Sequence, residues 1–304
     1  MKKNNLINNT NIQGSIVALI TPMFKNGSID IFSYKNLINW HIKEKTDALV
    51  IVGTTGESST VTLKEKIELI KIAVKQVNER IKIIAGVGSN STIESIELSI
   101  KALKAGANAG LSVTPYYNKP NQKGIYFHFK EISENTKLPI ILYDVPSRTS
   151  SKISIENIIN LSELPNIIGI KDATGNIKDS LYLLNELSKK NVNFRLYSGD
   201  DSLSSVLMLM GAKGSISVTA NIFPNTIKKL CDSAISGDLI KTKKIDNEIY
   251  KIYKILSLDT NPIPIKFCLN YLCKINYGFR LPLSDIDVNF KKKEIIKCLN
   301  HLAK

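Results

Sequence analysis

The sequence of 304 residues predicts an α/β protein, a (β/α)8 barrel followed by a C-terminal helical domain. Three observations predict this fold. Eight short apolar segments with the character of β-strands recur about every 30 residues, which is the length of one β-α unit. Most of the intervals have helical spacing, as in residues 63–77, where apolar side chains return every three or four positions. The strands are continuously apolar, which is typical of parallel strands covered on both faces.

The predicted strands follow one another in order along most of the chain. They begin at Ser15, Ala48, Lys82, Ala109, Pro139, Ile167, Phe194 and Gly214. Beyond Asn221 the strand-like segments stop, and helical patterns continue to Lys304. Because eight β-α units close into a barrel, we expect the barrel over residues 14–224 and the helical domain over residues 225–304. The Asn-rich start, residues 1–13, predicts a disordered tail.

The net charge of +14 suggests nucleic-acid binding at first sight, but its composition argues against it. Only four of the 41 basic residues are arginine, and the lysines are scattered along helical segments instead of clustering with aromatic residues. No apolar segment approaches the ~20 residues that a membrane helix needs. No apolar stretch follows the basic start, as it would in a signal peptide. We therefore expect a cytoplasmic protein that binds neither nucleic acid nor membrane.

The cysteines and histidines show no metal-binding pattern. The cysteines all lie in the last quarter of the chain and form no C-x-x-C pair: Cys231, Cys268, Cys273 and Cys298. The three histidines are far apart in sequence, so none is placed to complete a zinc site. We expect buried free thiols in a reducing compartment, and neither a metal ion nor another cofactor.

Lys171 closes the sixth predicted strand, directly after the apolar residues 167–170. A lysine at this position would point its amine into the mouth of the barrel. Because an ammonium group is costly to desolvate, such a site lowers the lysine pKa and leaves a neutral, nucleophilic amine. Neutral buried amines form Schiff bases with carbonyl substrates. The alternative is a solvated loop lysine, which is the commoner role of a lysine just past a strand.

Further polar residues follow the other strands, and barrel geometry places them at the same rim. The turn at residues 53–56 offers N–H groups and hydroxyls that suit a carboxylate or phosphate, although a plain β-α turn has the same composition. The phenol of Tyr143 could relay protons or only pack. Arg148 could hold a carboxylate through two hydrogen bonds, which lysine cannot do, or could be a surface charge. The pair Tyr116–Tyr117 could simply pack a loop.

Six motifs at matching strand ends carry a resemblance to a known family. They are G-T-T-G-E-S at 53–58, V-T-P-Y-Y-N at 113–118, Y-D-V-P-S-R-T at 143–149, I-I-G-I-K-D-A-T-G at 167–175, S-G-D-D at 198–201 and N-P-I-P-I-K at 261–266. From about Gly14 to the C-terminus the chain closely resembles the dihydrodipicolinate synthase family of the pyruvate-dependent class I aldolases. The resemblance implies condensation of pyruvate with L-aspartate 4-semialdehyde through a lysine Schiff base, the first committed step of the diaminopimelate and lysine pathway. It also implies a homotetramer, a dimer of tight dimers.

The resemblance implies roles for individual residues. Lys171 resembles the Schiff-base lysine, and Tyr143 resembles the tyrosine that moves protons during imine formation and addition. Thr54 and Tyr117 are similar to the other members of the proton relay, with Tyr117 reaching in from a neighbouring subunit. The implied substrate-binding positions are Thr55 and the backbone near Ile216 for the pyruvate carboxylate, Arg148 for the carboxylate of the semialdehyde, and Gly199.

Arg148 separates this interpretation from close relatives of the family. Sialic acid lyases share the lysine, the tyrosine and a similar glycine-rich turn, but they generally lack the arginine. An N-acetylneuraminate lyase-like or sugar-acid aldolase is the first alternative, although sugar-acid substrates need extra hydroxyl-binding groups. The second alternative is a catalytically silent barrel that binds a ligand. The joint presence of Lys171, Tyr143, Thr54 and Tyr117 speaks against a silent barrel, because a binding site has no need of the whole relay.

The chain departs from the usual pattern of the family at several positions. Asp144 replaces an asparagine and Ser150 replaces a glycine. Asp144 need not face the substrate, because successive strand residues face opposite sides. In regulated members, lysine binds at positions that resemble Ser58, Ser59, Asn90, Glu94 and Tyr116. Two nearby positions that are often histidine in regulated members are Leu63 and Lys66 in this chain, so we predict weak or absent inhibition by lysine.

Overall fold

Eight parallel strands form a closed barrel in the computed structural model of the protein, which describes residues 11–190, 192–286 and 289–302. The strands are β1 (Gly14–Ala18), β2 (Ala48–Ile51), β3 (Lys82–Gly86), β4 (Ala109–Val113), β5 (Ile140–Asp144), β6 (Ile167–Asp172), β7 (Arg195–Ser198) and β8 (Gly214–Ser217). Each strand pairs with the next along the chain, and β8 closes the barrel by pairing with β1. The predicted (β/α)8 fold is therefore confirmed.

The strands begin within one residue of the predicted positions. The three starts that differ are Gly14, Ile140 and Arg195. Proline has no N–H group to donate to a neighbouring strand, which is consistent with a strand that begins just after Pro139. The continuous apolar runs thus marked the strand positions closely.

Helices follow the strands and cover the outside of the barrel. They are α1 (Ile31–Lys43), α2 (Leu63–Val77), α3 (Thr92–Lys104), α4 (Gln122–Asn135), α5 (Pro146–Thr149), α6 (Ile155–Ser162), α7 (Ile177–Ser188), α8 (Asp201–Leu209), α9 (Pro224–Ile235), α10 (Leu239–Leu256), α11 (Ile263–Tyr271) and α12 (Asn289–Leu302). A short 3₁₀ helix, Thr219–Asn221, follows β8. Helices α9 to α12 form the C-terminal helical segment, and its domain boundary at residues 224 and 225 stays a prediction. No helix in the described ranges is long and apolar enough to cross a membrane.

The buried apolar residues form two clusters. One lies inside the barrel, and the other lies between the strands and the helices. The alternation of side chains along each strand supplies both clusters. On β5, Ile141 and Tyr143 belong to the inner cluster, whereas Ile140 and Leu142 belong to the outer one. This alternation decides which polar side chains can reach the barrel mouth.

The N-terminal end of the barrel is closed by the segment that precedes β1. Ile12 is buried, and its carbonyl accepts a hydrogen bond of 2.8 Å from the Tyr197 hydroxyl. Residues 1–10 of the predicted tail lie outside the described residues. Ile12 therefore belongs to the packed structure, although the expected tail extended to residue 13.

Three of the four cysteines are buried, as expected, but Cys273 is exposed. Cys273 lies in the turn after α11 and has a positive φ of 54°. Turns run over the surface, where water can satisfy their backbone groups. The expectation of buried thiols is therefore wrong at this position.

Candidate active site

Lys171 and Tyr143 lie side by side at the barrel mouth. Lys171 belongs to β6 and Tyr143 to β5, and the two residues are paired in the parallel register. The Nζ atom of Lys171 lies 4.3 Å from the centroid of the Tyr143 ring. Both residues are buried, with exposed fractions of 5% and 6%. Because β6 continues through Asp172, Lys171 is held within the strand instead of just after it.

A cavity of about 610 Å³ opens beside this pair. It lies at the C-terminal ends of the strands, where (β/α)8 enzymes bind their substrates. Five of the predicted site residues line it: Thr55, Tyr143, Arg148, Lys171 and Gly199. Helix α10 also contributes to the lining with Tyr250, Tyr253 and Lys254. The C-terminal helical segment is therefore part of the site.

Gly199 leaves the space that the Lys171 side chain occupies. A Cβ atom at residue 199 would lie 2.8 Å from Cε of Lys171 and 2.8 Å from Cβ of Ala173. Carbon atoms do not approach so closely without displacement, so any larger residue would push the lysine aside. Glycine at this position lets the lysine extend past β7 toward the cavity.

The loop after β2 presents Thr55 to the cavity. The N–H group of Glu57 donates to the carbonyl of Thr54 at 3.1 Å, which folds the loop into a tight turn. Thr55 is buried, and its Oγ1 accepts a hydrogen bond of 3.0 Å from Nδ2 of Asn261. The hydroxyl proton of Thr55 thus remains available for a ligand.

Three predicted site residues do not line the cavity: Thr54, Tyr117 and Ile216. Thr54 is half-buried in the β2 loop. The side chain of Ile216 packs in the inner cluster on β8, so only its backbone could serve a ligand. Tyr117 is 90% exposed and has a φ of 74°, which is unusual for a residue with a Cβ atom. The predicted relay through the tyrosine of a neighbouring subunit stays a prediction.

Arg148 projects from the single turn of α5 at the cavity mouth. Its Nη2 donates to the carbonyl of Asn261 at 3.1 Å. Within the described ranges it forms no ion pair with a carboxylate. The remaining guanidinium donors are therefore available for the paired hydrogen bonds that a carboxylate ligand accepts.

Ser150 ends α5 in the left-handed conformation, with a φ of 54°. Its N–H group donates to the carbonyl of Pro146 at 2.9 Å. Glycine adopts this conformation without a steric penalty, which explains why glycine suits the position. Serine in this conformation adds strain of about 1 kcal/mol.

Asp144 belongs to a pair of buried carboxylates that do not line the cavity. It is aligned with Asp172 in the register of β5 and β6. One carboxylate oxygen of Asp144 accepts a hydrogen bond of 3.2 Å from the N–H of Ile153. Asp172 accepts shorter hydrogen bonds, of 2.9 Å from the N–H of Thr174 and 2.5 Å from the hydroxyl of Ser180. Burial raises the pKa of Asp144 to about 7, and the charge of Asp172 adds to this effect.

The substitution Asp144→Asn is expected to stabilise the protein above pH 7. A carboxyl group whose pKa is raised by folding contributes stability below its unfolded pKa of 3.8 and loses it as the pH rises through about 7. An asparagine keeps the shape of the neutral acid and does not ionise. The free energy of unfolding at pH 8.5 should therefore be higher in the variant by on the order of 3 kcal/mol. Urea unfolding at pH 5 and pH 8.5, at one protein concentration, measures it. If the free energy of unfolding depended on pH in the same way in both proteins, the raised pKa of Asp144 would be contradicted.

The structure links two of the predicted lysine-binding residues, Asn90 and Tyr116, and shows the partner of a third, Glu94. The carboxylate of Glu94 accepts a hydrogen bond of 2.7 Å from the Ser89 hydroxyl. Nδ2 of Asn118 donates to the carbonyl of Asn90 at 2.9 Å, and the N–H of Asn118 donates to the carbonyl of Tyr116 at 2.9 Å. Asn90 and Tyr116 are therefore joined through one neighbour, close to the loop that carries Tyr117.

Lys66 and Leu63 alter this region. Burial lowers the pKa of Lys66, and the nearby carboxylate of Glu94 opposes that effect. Lys66 thus lies near the carboxylate of Glu94, which the ammonium group of a bound amino acid would need as its partner. Leu63 is exposed and offers no hydrogen bond. Of the remaining predicted positions, Ser58 is half-buried and Ser59 is exposed.

A steady-state titration with L-lysine is therefore expected to show weak or absent inhibition. The ammonium group of Lys66 would repel the ammonium group of the ligand, and Leu63 removes a hydrogen-bonding partner. The double substitution Leu63→His, Lys66→His is expected to increase sensitivity. Inhibition of the parent protein at sub-millimolar lysine would contradict this prediction.

Asn261 is the principal site residue to which the sequence analysis assigned no role. It belongs to the motif N-P-I-P-I-K at 261–266, which contributed to the resemblance without a function of its own. The structure places it between Thr55 and Arg148, bonded to both. The only signal in the sequence was the motif itself, because 206 residues separate Asn261 from Thr55.

A buried lysine beside a phenol, at the C-terminal mouth of a (β/α)8 barrel, is the arrangement that an aldolase-type lyase acting through a Schiff base requires. Comparison with protein families agrees with this class. The chain belongs to the dihydrodipicolinate synthetase family, whose model matches residues 11–301.

The chain is similar over most of its length to proteins named 4-hydroxy-tetrahydrodipicolinate synthase. It is 45% identical over 283 residues to the protein from Ralstonia nicotianae, covering 93% of this chain and 95% of the relative. It is 49% identical over 275 residues to the protein from Dechloromonas aromatica, covering 90% and 93%. The chloride-inhibited dihydrodipicolinate synthase from Acinetobacter baumannii, solved in complex with pyruvate, aligns with a TM-score of 0.94 at 45% identity, covering 96% of this chain and 99% of that chain.

Proposed function

We propose that the protein is a 4-hydroxy-tetrahydrodipicolinate synthase, which condenses pyruvate with L-aspartate 4-semialdehyde and releases water. The observation that carries the proposal is the buried pair of Lys171 and Tyr143, which opens on a cavity that also contains Arg148. The identity of 45% and 49% to proteins of that name, over nearly complete chains, supports the same activity. The reaction commits its substrates to the synthesis of diaminopimelate and lysine.

The reaction begins at the amine of Lys171. The neutral amine attacks the keto carbon of pyruvate, and loss of water gives an imine. The imine withdraws electrons, so the adjacent methyl group loses a proton more easily. This loss converts the imine into an enamine. The enamine carbon adds to the aldehyde of the second substrate. The amino group of that substrate then attacks the imine carbon, which releases Lys171 and closes the ring.

Tyr143 moves protons in these steps. Its ring lies against Nζ of Lys171, so its phenol is close to the atom at which the imine forms and breaks. Thr54 and the Tyr117 side chain of a neighbouring subunit complete the relay that we propose. General acid–base catalysis of this kind accelerates a reaction roughly 10²–10⁴-fold.

The two carboxylates of the substrates bind to different groups around the cavity. The hydroxyl of Thr55 and the backbone near Ile216 hold the carboxylate of pyruvate. The guanidinium of Arg148 receives the carboxylate of the semialdehyde at the mouth, where two parallel hydrogen bonds fix its orientation. Gly199 leaves the space that the side chain of Lys171 occupies.

We expect the protein to act as a homotetramer of tight dimers in the cytoplasm. Tyr117 is exposed on the isolated chain, as a residue that completes a neighbouring site would be. Small-angle scattering together with activity measured at the same protein concentration would test this assembly. A fully active monomer would contradict the relay between subunits.

The proposed function is tested by trapping and by turnover. The purified protein is treated with pyruvate and borohydride, and its peptides are analysed by mass spectrometry. A reduced pyruvyl adduct is expected on Lys171 alone. In parallel, the protein is expected to consume pyruvate with L-aspartate 4-semialdehyde but not to cleave sialic acid. An adduct combined with cleavage of sialic acid would favour the other aldolases, and no adduct would favour a silent barrel.

A further inference from the structure

Glu57 and Lys266 form an ion pair in which both side chains are completely buried. Glu57 lies in the β2 loop, two residues after Thr55, whereas Lys266 lies on α11 in the C-terminal helical segment. The second carboxylate oxygen of Glu57 accepts a hydrogen bond of 3.3 Å from the N–H of Arg280. Two buried charges persist together only when their geometry is fixed and their hydrogen bonds are satisfied. The pair is therefore a rigid link between the barrel and the helical segment.

The β2 loop needs such a link because its backbone is strained. Glu57 has a φ of 57°, a left-handed conformation that residues with a Cβ atom rarely adopt. Such conformations persist when the surrounding structure holds them. The N–H of Glu57 closes the turn by donating to the carbonyl of Thr54. The conformation of Glu57 thus sets the position of Thr54 and Thr55.

The helical segment holds the same loop at two further points. Nδ2 of Asn261 donates to Oγ1 of Thr55 at 3.0 Å. Nη1 of Arg280 donates to the carbonyl of Thr60 at 2.9 Å and also bonds the carboxylate of Glu65. A single segment of 20 residues contains Asn261, Lys266 and Arg280. This segment therefore contacts the β2 loop at several points from Thr55 to Thr60.

We propose that Lys266 and Asn261 are positioning residues for the pyruvate half of the reaction. They hold the β2 loop so that the hydroxyl of Thr55 meets pyruvate, and Thr54 keeps its place in the proposed relay, while the imine forms. Lys266 touches neither substrate and acts only through Glu57. This inference rests on the proposed function, and it makes the C-terminal helical segment a necessary part of the site.

The first test compares Lys266→Met with the double variant Glu57→Gln, Lys266→Met. The single variant leaves the Glu57 carboxylate buried without a partner, so its melting temperature should fall. Its KM for pyruvate should rise about 10-fold and its kcat should fall about 10- to 100-fold, because misplacement by about 1 Å costs as much as 10²-fold in rate. The KM for the semialdehyde should stay unchanged. The double variant removes both charges and should recover the melting temperature, but its loop still lacks the link through the ion pair, so its pyruvate kinetics should stay impaired.

Lys291→Met is the matched control. It breaks another ion pair of the helical segment, in which Nζ of Lys291 lies 2.8 Å from the Asp259 carboxylate, without contact to the β2 loop. Its pyruvate kinetics should equal those of the parent protein. Recovery of both the melting temperature and the pyruvate kinetics in the double variant would overturn the inference, because the pair would then only stabilise the fold.

Asn261→Ala provides a second test that buries no charge and applies even if Lys266→Met does not fold. It removes the hydrogen bond to Thr55, so the KM for pyruvate should rise about 5- to 10-fold. An unchanged KM would overturn the inference. Failure of the parent protein to form the pyruvate adduct would contradict the proposed function instead. A parent protein that forms the adduct, together with variants that keep parental kinetics, would contradict the inference alone.

Discussion

Replacing Lys171 with methionine is expected to abolish the condensation, with kcat/KM lowered by at least about 10⁴-fold. Methionine fills a similar volume but has no amine, so pyruvate cannot be bound as an imine. Lys171→Arg should be as inactive, because a guanidinium keeps the positive charge but is not deprotonated in proteins. Consumption of pyruvate in the presence of the semialdehyde, together with borohydride trapping, measures both effects.

The loss should not result from unfolding. Lys171 is a buried amine without an ion pair among the described residues, so removing this polar group should leave the melting temperature equal or higher. Lys82→Met is the matched control, because Lys82 begins β3 at the opposite end of the barrel and should be dispensable for activity. Turnover by either Lys171 variant above about 1% of the parental rate would be incompatible with covalent catalysis by this residue.

The barrel could be predicted from the sequence because its signal is local. Most of the strands are largely apolar runs bounded by glycine, proline or polar residues, and the predicted strand starts agree with the structure to within one residue. The predictions that were wrong concern burial, which depends on the tertiary structure. Ile12 is buried because the open end of the barrel needs a cover, and Cys273 is exposed because α11 ends just before it. Neither fact is visible in local composition.

The proximity of Lys171 and Tyr143 could be predicted for a related reason. Parallel strands align their C-terminal ends, so two polar residues at the ends of adjacent strands meet, as Lys171 and Tyr143 do. Strand alternation likewise indicated that Asp144 need not face the substrate, and Asp144 does not line the cavity. The pairing of Asp144 with Asp172 required the register of the two strands, which the sequence alone does not specify. The contacts of Asn261 and Lys266 depend on how a distant helical segment folds back on the barrel.

Two tyrosines flank Lys171 in the barrel, and only one of them should be required for catalysis. Tyr143 lies on β5 and Tyr197 on β7, each aligned with Lys171 in the strand register. The Tyr197 hydroxyl is directed to the closed end, where it donates to Ile12, and burial raises the pKa of Tyr197 to about 12. Tyr143 instead lines the cavity and lies against the amine.

Tyr143→Phe is therefore expected to lower kcat about 10²- to 10³-fold. The substitution keeps the ring that contacts Nζ of Lys171 and removes only the hydroxyl, so the KM for pyruvate should change little. The imine should still form, but more slowly, which a time course of borohydride trapping would reveal. Tyr197→Phe is the matched control: it should lower stability by about 1 kcal/mol through the lost hydrogen bond and leave kcat unchanged. Equal activity in Tyr143→Phe and the parent protein would mean that the ring only packs against the lysine, and the proton transfers would then need another group in the cavity.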